Sequence, residues 1–148
     1  MEQHYINVAV LPRSLEILLL VLHGMRCGSG ALLFFFGIGS LVYYNAFIAV
    51  YIVVLGLAGA LSGTAGLLAT KFKSLVTHGG CLATSALTLY FGIINYMLII
   101  GAGSDLDAKR IQIAMLMCNV ILVVLDMMIS AMSVGFQALV LYISTKKI

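Results

Sequence analysis

Several residue types are scarce in this chain of 148 residues. It has no tryptophan and one proline, and 9% of its residues are charged, against about 25% in soluble domains. Apolar residues make up 63% of the chain, and a soluble domain of this size cannot bury so many. The composition therefore predicts an integral membrane protein in contact with the lipid bilayer. The net charge of +3 is too small and too scattered to predict nucleic-acid binding.

The chain also lacks the usual signatures of catalysis and of metal binding. Its three cysteines, Cys27, Cys81 and Cys118, have no CxxC spacing, so neither a disulfide framework nor a zinc site is indicated. There is no glycine-rich phosphate loop, no serine nucleophile elbow and no pair of intramembrane carboxylates. The three histidines do not offer two haem ligands at one depth. We therefore expect no enzymatic activity, no cofactor and no metal.

Charged residues divide the chain into long apolar stretches. No charge occurs between Arg26 and Lys71 or between Lys73 and Asp105, and only Asp126 interrupts the stretch from Arg110 to Lys146. A transmembrane helix needs about 20 apolar residues. These stretches predict spans near residues 18–42, 46–70, 76–101 and 112–143. The predicted fold is all-α, a polytopic four-transmembrane-helix bundle formed by one domain over residues 1–148.

The basic residues predict how the bundle is oriented. Six of them fall on one side of the membrane: Arg13, Arg26, Lys71, Lys73, Lys146 and Lys147. Two, Lys109 and Arg110, fall on the other, in the loop GAGSDLDAKR. Because Lys and Arg concentrate in inner loops, both termini are expected on the cytoplasmic or equivalent inner side. The membrane itself is expected to be the plasma membrane or an organelle membrane such as the mitochondrial inner membrane.

Small residues recur along the second span. Gly56, Gly59, Gly63 and Gly66 follow one another at three- and four-residue steps, and Gly24 and Gly28 form a GxxxG motif in the first span. Such glycines let helix backbones approach closely in lipid. The glycines of the second span are therefore expected to form a packing face, directed either at the other spans of the same chain or at a second copy or partner subunit.

Asp126 lies in the middle of the fourth span. It shares a helical stripe with Asn119, Ser130, Ser133 and Gln137, and this stripe must face protein because a carboxylate facing lipid is costly. Arg26 is the cation expected to approach Asp126, with Asn95 and Ser62 as neutral alternatives. Three roles remain open for Asp126: a polar pin between helices, a contact to a partner helix, and an ion or proton site.

A second polar stripe is predicted on the first span. His23 and Arg26 lie seven and ten residues after Glu16, so the three side chains share one face of a helix. Their position near the inner boundary predicts a stripe at the membrane interface, with a partner contact and a proton or ion path as alternatives.

Two stretches of the chain resemble a known family. In the second and third spans the matching residues are Gly59, Leu61, Ser62, Lys73, Leu75, Val76, Gly92 and Ile93, and in the fourth they are Leu125, Asp126, Ile129 and Phe136. With four spans and inner termini, this pattern resembles the membrane-spanning four-domains subfamily A, which includes a B-lymphocyte antigen and the β chain of the IgE receptor. The chain differs in its short tails and in its cysteine-free outward loop. The resemblance implies a non-enzymatic bundle that oligomerises or accompanies receptors and channels.

Three functions are consistent with the sequence. The first is an oligomerising scaffold or accessory subunit that acts through helix–helix contacts, as a homo-oligomer or with other membrane-protein subunits. The second is a structural subunit of a large membrane complex, such as a respiratory assembly. The third is a small ion channel or transporter that uses Asp126.

Overall fold

The computed structural model describes residues 12–43, 46–103 and 110–145, and four long helices account for nearly all of them. They are α1 (Arg13–Tyr43), α2 (Ala46–Phe72), α3 (Leu75–Gly103) and α4 (Arg110–Thr145). Each helix is long and apolar enough to cross a membrane. The fold is thus an all-α, four-transmembrane-helix bundle, as predicted.

The helix ends lie close to the predicted limits, with the largest difference at α1. This helix begins at Arg13, five residues before the predicted start. The carbonyl oxygen of Pro12 accepts hydrogen bonds from the backbone N–H groups of Leu15 at 2.9 Å and Glu16 at 3.1 Å. Proline at a helix start loses no intrahelical bond, which explains why the helix extends this far. Residues 44–45, the loop at 104–109 and both chain ends lie outside the described residues.

A two-residue turn joins α2 to α3. Lys73 has a φ of 50°, in the left-handed region that often ends helices. Its N–H donates to the carbonyl oxygen of Ala69 at 3.0 Å, and the carbonyl oxygen of Ser74 accepts from the N–H of His78 at 3.1 Å. The turn is therefore hydrogen-bonded on both sides and forces α2 and α3 to run antiparallel as neighbours.

The four helices surround a common interior, with α1 against α2 and α4, and α3 against α2 and α4. We call the end of the bundle with the start of α1, the end of α4 and the α2–α3 turn the terminal end. The opposite end, where α1 leads into α2 and α3 into α4, is the loop end. On α4, residues at alternating three- and four-residue steps face the interior of the bundle, as in a heptad pattern. They are Asn119, Val123, Asp126, Ser130, Ser133, Gln137, Val140 and Ser144.

The outer surface is apolar, whereas much of the interior is polar. Exposed side chains include Phe35, Val42, Val76 and Met97, each at least 66% exposed. A soluble bundle has the opposite distribution. This arrangement fits an integral membrane protein, because lipid can cover the outside while polar groups find partners only inside.

The small-residue face of α2 packs on α1 of the same chain. A Cβ atom added at Gly63 would lie 2.6 Å from the backbone nitrogen of Cys27, and one at Gly56 would lie 2.3 Å from that of Phe34. A Cβ at Gly66 would overlap the ring of His23. Of the two alternatives left by the sequence, the described contacts place these glycines inside the bundle and cover them with α1.

Replacement of Gly63 by leucine should strongly destabilise the bundle. The new side chain would force apart two backbones, and overpacking of this kind costs about 1–3 kcal/mol or more. The free energy of unfolding can be measured in lipid–detergent micelles by SDS titration with circular dichroism. Gly79→Leu is the matched control, because nothing lies within 4 Å of a Cβ at Gly79. Equal stability of the two variants would contradict the close contact between α1 and α2.

Candidate functional site: a buried polar column

A series of buried polar side chains runs through the bundle from near the terminal end toward the loop end. On α4 it extends from Gln137 to Asn119, about 27 Å at 1.5 Å per residue, which approaches the thickness of a hydrocarbon core. We call this set the polar column. Its members are His23, Arg26, Ser29, Ser40, His78, Cys81, Ser85, Asn119, Asp126, Ser130, Ser133 and Gln137.

Asp126 lies at the middle of the column and contacts α1 of its own chain. Its Oδ1 accepts a hydrogen bond of 2.8 Å from the hydroxyl of Ser29. The carboxylate also lies against Gly59 of α2, where an added Cβ would be 3.3 Å from Oδ1. Oδ2 has no hydrogen-bond partner and the side chain has no exposed surface. Asp126 is therefore held between α1 and α2, in space that the absence of a side chain at Gly59 leaves free.

Arg26 binds α3 rather than Asp126. Its guanidinium donates to the hydroxyl and, at 3.5 Å, to the carbonyl oxygen of Ser85, and the Ser85 hydroxyl is 3.1 Å from that of Ser133 on α4. Within the described residues no nitrogen of Arg26 forms an ion pair with Asp126; the ion pair found there joins Lys73 to Glu16. The approach of Arg26 to Asp126 that the sequence predicts therefore does not extend to a direct ion pair. Each of the two side chains is instead bound by one serine hydroxyl, Arg26 by that of Ser85 and Asp126 by that of Ser29.

Toward the terminal end, Gln137 joins two histidines. Its Oε1 lies 2.7 Å from Nδ1 of His78, and its Nε2 lies 2.9 Å from Nε2 of His23. An amide nitrogen only donates, so His23 accepts through Nε2 while His78 donates through Nδ1. The same amide lies 3.5 Å from the sulfur of Cys81. One glutamine thus links α1, α3 and α4.

Apolar side chains close the column at the terminal end and divide it toward the loop end. Leu19 and Val140, both without exposed surface, pack together on the terminal side of His23. On the loop side of Asp126, an apolar cluster separates it from the 2.7 Å hydrogen bond between Asn119 Nδ2 and the hydroxyl of Ser40. The members of this cluster are Leu33, Ile48, Ile52, Leu55, Ile99 and Val123. Asp126 is therefore enclosed without contact to water.

The predicted interfacial stripe on α1 divides into two environments. Glu16 is partly exposed at the terminal end, with its Oε1 3.0 Å from Nζ of Lys73. His23 and Arg26 have no exposed surface, so they face the interior of the bundle rather than solvent or lipid headgroups. They face inward because Gly66 of α2 leaves room for the His23 ring and Ser85 of α3 accepts hydrogen bonds from the Arg26 guanidinium.

The two neutral partners considered for Asp126 have other contacts. The hydroxyl of Ser62 lies 3.2 Å from that of Thr84. Asn95 Nδ2 donates to the carbonyl oxygens of Tyr51 at 3.3 Å and Phe91 at 3.2 Å, away from the polar column. Asn119 lies in the column as expected, but near its loop-end limit.

Sequence reasoning missed several members of the column, above all Ser29, Ser40, Ser85 and His78. The signal was present on α3, where polar and small residues recur at heptad spacing: His78, Cys81, Ser85, Thr88, Gly92 and Asn95. A search for polar heptad positions, rather than for charged residues, would have found this line of side chains.

The described residues include no group of three or more His, Cys, Asp or Glu side chains placed to hold a metal ion. His23 Nε2 and Cys81 Sγ are 4.0 Å apart, with Gln137 between the two imidazoles. His23, His78, Cys81 and Gln137 thus form a hydrogen-bonded contact between α1, α3 and α4.

Comparisons with protein families, with curated proteins and with solved structures find no match to this chain. The functional interpretation therefore depends on the geometry of the bundle.

Removal of the Ser29 hydroxyl should weaken the bundle. Ser29→Ala leaves a buried carboxyl group without its hydrogen-bond donor, at a cost of about 1–3 kcal/mol. Asp126→Asn retains an oxygen that can accept from Ser29 and should cost less. SDS titration followed by circular dichroism measures both effects.

A double-mutant cycle tests whether these two side chains interact. Ser29→Ala should be less costly in an Asp126→Ala background, where no acceptor remains for the Ser29 hydroxyl, than in the native protein. Thr64→Ala is the control, because the exposed Thr64 hydroxyl bonds only to a carbonyl oxygen of its own helix. The contact has no energetic role if Ser29→Ala and Thr64→Ala give the same unfolding free energy.

Proposed function

We propose that this protein acts without catalysis, as a scaffold or accessory subunit that associates with other membrane-embedded chains through its outward helix faces. The observation that carries the proposal is the contrast between a closed polar interior and an apolar exterior. A bundle of this kind presents an apolar outer surface to its neighbours, so it can associate with other helices by packing in lipid.

The closed interior supports a structural role for the polar column. Arg26 and Asp126 lie out of contact with water, and the Leu19–Val140 contact covers the terminal end of the column. Buried polar groups of this kind add less stability than well-packed apolar groups, but they can fix the register of helices. An open pore would instead present Asp126 to water.

An outward GxxxG motif on α1 supports association with another chain. Nothing lies within 4 Å of a Cβ added at Gly24 or Gly28, in contrast to the glycines of α2. Val21, Met25 and Leu32 flank the motif and are each at least 51% exposed. Close approach of a second helix at small residues is a common mode of association in lipid. The α1 motif, rather than the α2 glycines, is the proposed contact surface.

Charge at the terminal end supports the proposed orientation. Arg13, Lys71 and Lys73 all lie at this end of the described bundle. By the rule that basic residues favour the inner side, the terminal end faces the cytoplasm or its equivalent. The resemblance to the membrane-spanning four-domains subfamily A, carried in part by Gly59, Ser62 and Asp126, supports the same non-enzymatic role.

Substitution of both α1 glycines should reduce association and leave the fold intact. Gly24→Leu plus Gly28→Leu blocks close approach of a partner helix without an internal clash. Association is measured by native mass spectrometry and by pull-down from native membrane. The association constant should fall at least about tenfold, equivalent to about 1.4 kcal/mol. The matched control is Gly79→Leu plus Gly135→Leu, since both of those positions are also open.

The two outcomes for association are distinct. A self-oligomer that is lost only in the α1 variant supports a scaffold, and co-purification with a larger complex at fixed stoichiometry supports an accessory subunit. A protein that remains monomeric and free of partners in native membrane would contradict the proposal.

A second candidate function is an ion or proton pathway through the polar column. The observation that favours it is a set of buried atoms without hydrogen-bond partners near mid-membrane: Asp126 Oδ2, Arg26 Nε and Ser130 Oγ. Intramembrane charges often mark such pathways. The pathway would require the apolar cluster around Leu33 and Val123 to separate.

Flux measurements distinguish the second candidate from the first. Purified protein in liposomes with an imposed proton or sodium gradient should show no flux above that of empty liposomes if the column is structural. A flux that disappears in Asp126→Asn would instead establish the pathway. Asn119→Leu serves as a comparison, because it alters the column on the far side of the apolar cluster.

A further inference from the structure

The hydrogen bond between Gln137 and His23 requires an uncharged imidazole. Gln137 Nε2 lies 2.9 Å from His23 Nε2, and an amide nitrogen only donates, so the ring nitrogen must offer its lone pair. The other end of the amide, Oε1, lies 2.7 Å from His78 Nδ1. A proton on His23 Nε2 would set two donors against each other. The link that Gln137 makes between α1, α3 and α4 therefore depends on a neutral His23.

The surroundings of His23 do not balance a positive charge. The groups that face its ring are Arg26 of α1, Gly66 of α2, His78 and Cys81 of α3, and Gln137 of α4. None of them carries a carboxyl group. Nδ1 of His23, which lies against Gly66, has no hydrogen-bond partner. A protonated His23 would therefore be a second buried cation beside the Arg26 guanidinium, and both burial and a like charge disfavour it.

The carboxyl group of the polar column is too far away to compensate. Asp126 lies 11 residues from Gln137 along α4, about 16.5 Å at 1.5 Å per residue, and it accepts its hydrogen bond from Ser29. A charge on His23 can thus be stabilised only by water.

Water lies close to this cluster at the terminal end of the bundle. His78 is in the first turn of α3, next to the α2–α3 turn with its exposed Lys73. The packing of Leu19 of α1 on Val140 of α4 covers the cluster on this side. Separation of α1 from α4 here would hydrate the His23 ring, while the glycine contact between α1 and α2 remains.

We propose that His23 is a proton-binding site that unlocks the terminal end of the bundle. When His23 takes up a proton, Gln137 can no longer donate to it, and α1 separates from α3 and α4 at this end until water reaches the imidazolium. The contact of Arg26 with Ser85 lies closer to the loop end and limits the opening to the terminal part of α1. This switch does not depend on the association surface proposed on α1.

The pH dependence of the opening has a defined sign. Only the open state binds the additional proton, so the closed state is fully stable above about pH 6.5, where an exposed imidazole is neutral. It becomes less stable as the pH falls below that value. For one proton, the ratio of open to closed molecules rises up to about tenfold for each further pH unit.

The thiol of Cys81 reports the opening, because it is 1% exposed and lies 4.0 Å from His23 Nε2. In a parent protein with Cys27→Ala and Cys118→Ala, its reaction with a pyridyl disulfide, which modifies thiols even at acid pH, is measured in nanodiscs. The rate in SDS-unfolded protein at the same pH, divided by this rate, gives a protection factor. Protection should fall up to about tenfold per pH unit between pH 6.5 and 4.5.

Three variants assign the effect to His23. His23→Gln should abolish the pH dependence, because its amide oxygen can accept from Gln137 and does not titrate. His78→Gln should retain the pH dependence. Asn119→Leu is the matched control, because it removes a buried amide at the other end of the column, and it should also retain it.

Nitrogen-15 NMR of the histidine-labelled parent protein follows the proton directly and does not require any of these variants to fold. We expect His23 Nε2 to be unprotonated at pH 7.5 and to gain its proton over the pH range in which Cys81 loses protection.

Several results would overturn the proposal. They are a protection factor that does not change with pH, and an equal pH dependence in the parent protein and His23→Gln. Loss of the pH dependence in His78→Gln alone would assign the proton to His78 instead. A protonated His23 with unchanged protection of Cys81 would show that the Gln137 amide rotates to accept from the ring and that the bundle stays closed.

Discussion

The close contact between α1 and α2 is the constraint on which the rest of the bundle depends. Four glycines on α2 remove the side chains that would otherwise hold the helices apart, and two of them also make room for polar groups. The His23 ring lies on Gly66, and the Asp126 carboxylate lies on Gly59. Glycine in a soluble helix costs close to 1 kcal/mol relative to alanine. Here the loss is offset by dispersion contacts between backbones and by the space for hydrogen-bonded side chains.

Each helix turns a face that carries polar side chains toward the interior of the bundle and an apolar face toward lipid. In a soluble bundle the apolar stripe faces inward, driven by exclusion of water. In this chain the whole helix is apolar enough for lipid, and the inward stripe is distinguished by serine, threonine, asparagine and glutamine. Short hydroxyl side chains are suited to this position because they bond across a narrow gap. Ser29, Ser85 and Ser133 each bridge two helices in this way.

The fold could be predicted from the sequence because length and hydropathy nearly determine it. Once charges separate four apolar stretches, helices are the structures that satisfy their own backbone hydrogen bonds in lipid. The stripe on α4 could also be predicted, because Asp126 and its polar neighbours share one helical face. The hydrogen-bond partners of these residues could not be predicted from the sequence. Which helix faces Asp126 depends on how far each helix is rotated and shifted along its axis. Arg26 was placed at the interface because its position along the chain did not reveal the serines opposite it.

The location of the glycines illustrates the same difficulty. Gly24 and Gly28 of α1 carry the same GxxxG spacing as Gly59 and Gly63 of α2, yet the α1 pair faces outward, whereas the α2 glycines form the internal contact. Spacing identifies a small-residue face but not what covers it. Asn95 was expected as a possible neutral partner of Asp126, and its actual position between α2 and α3 followed only from the packing of these two helices.

The distribution of the polar partners also affects how the chain enters the membrane. Arg26 and His23 lie within α1, but their hydrogen-bond partners belong to α3 and α4, which are synthesised last. Until these helices arrive, α1 carries an unsatisfied guanidinium at a depth where insertion of Arg costs about 2.5–3.5 kcal/mol. We expect the glycine contact with the strongly apolar α2 to hold α1 in place until then. We therefore expect insertion of α1 and completion of the polar column to be separate steps, because the column closes only when α3 and α4 have joined α1 and α2.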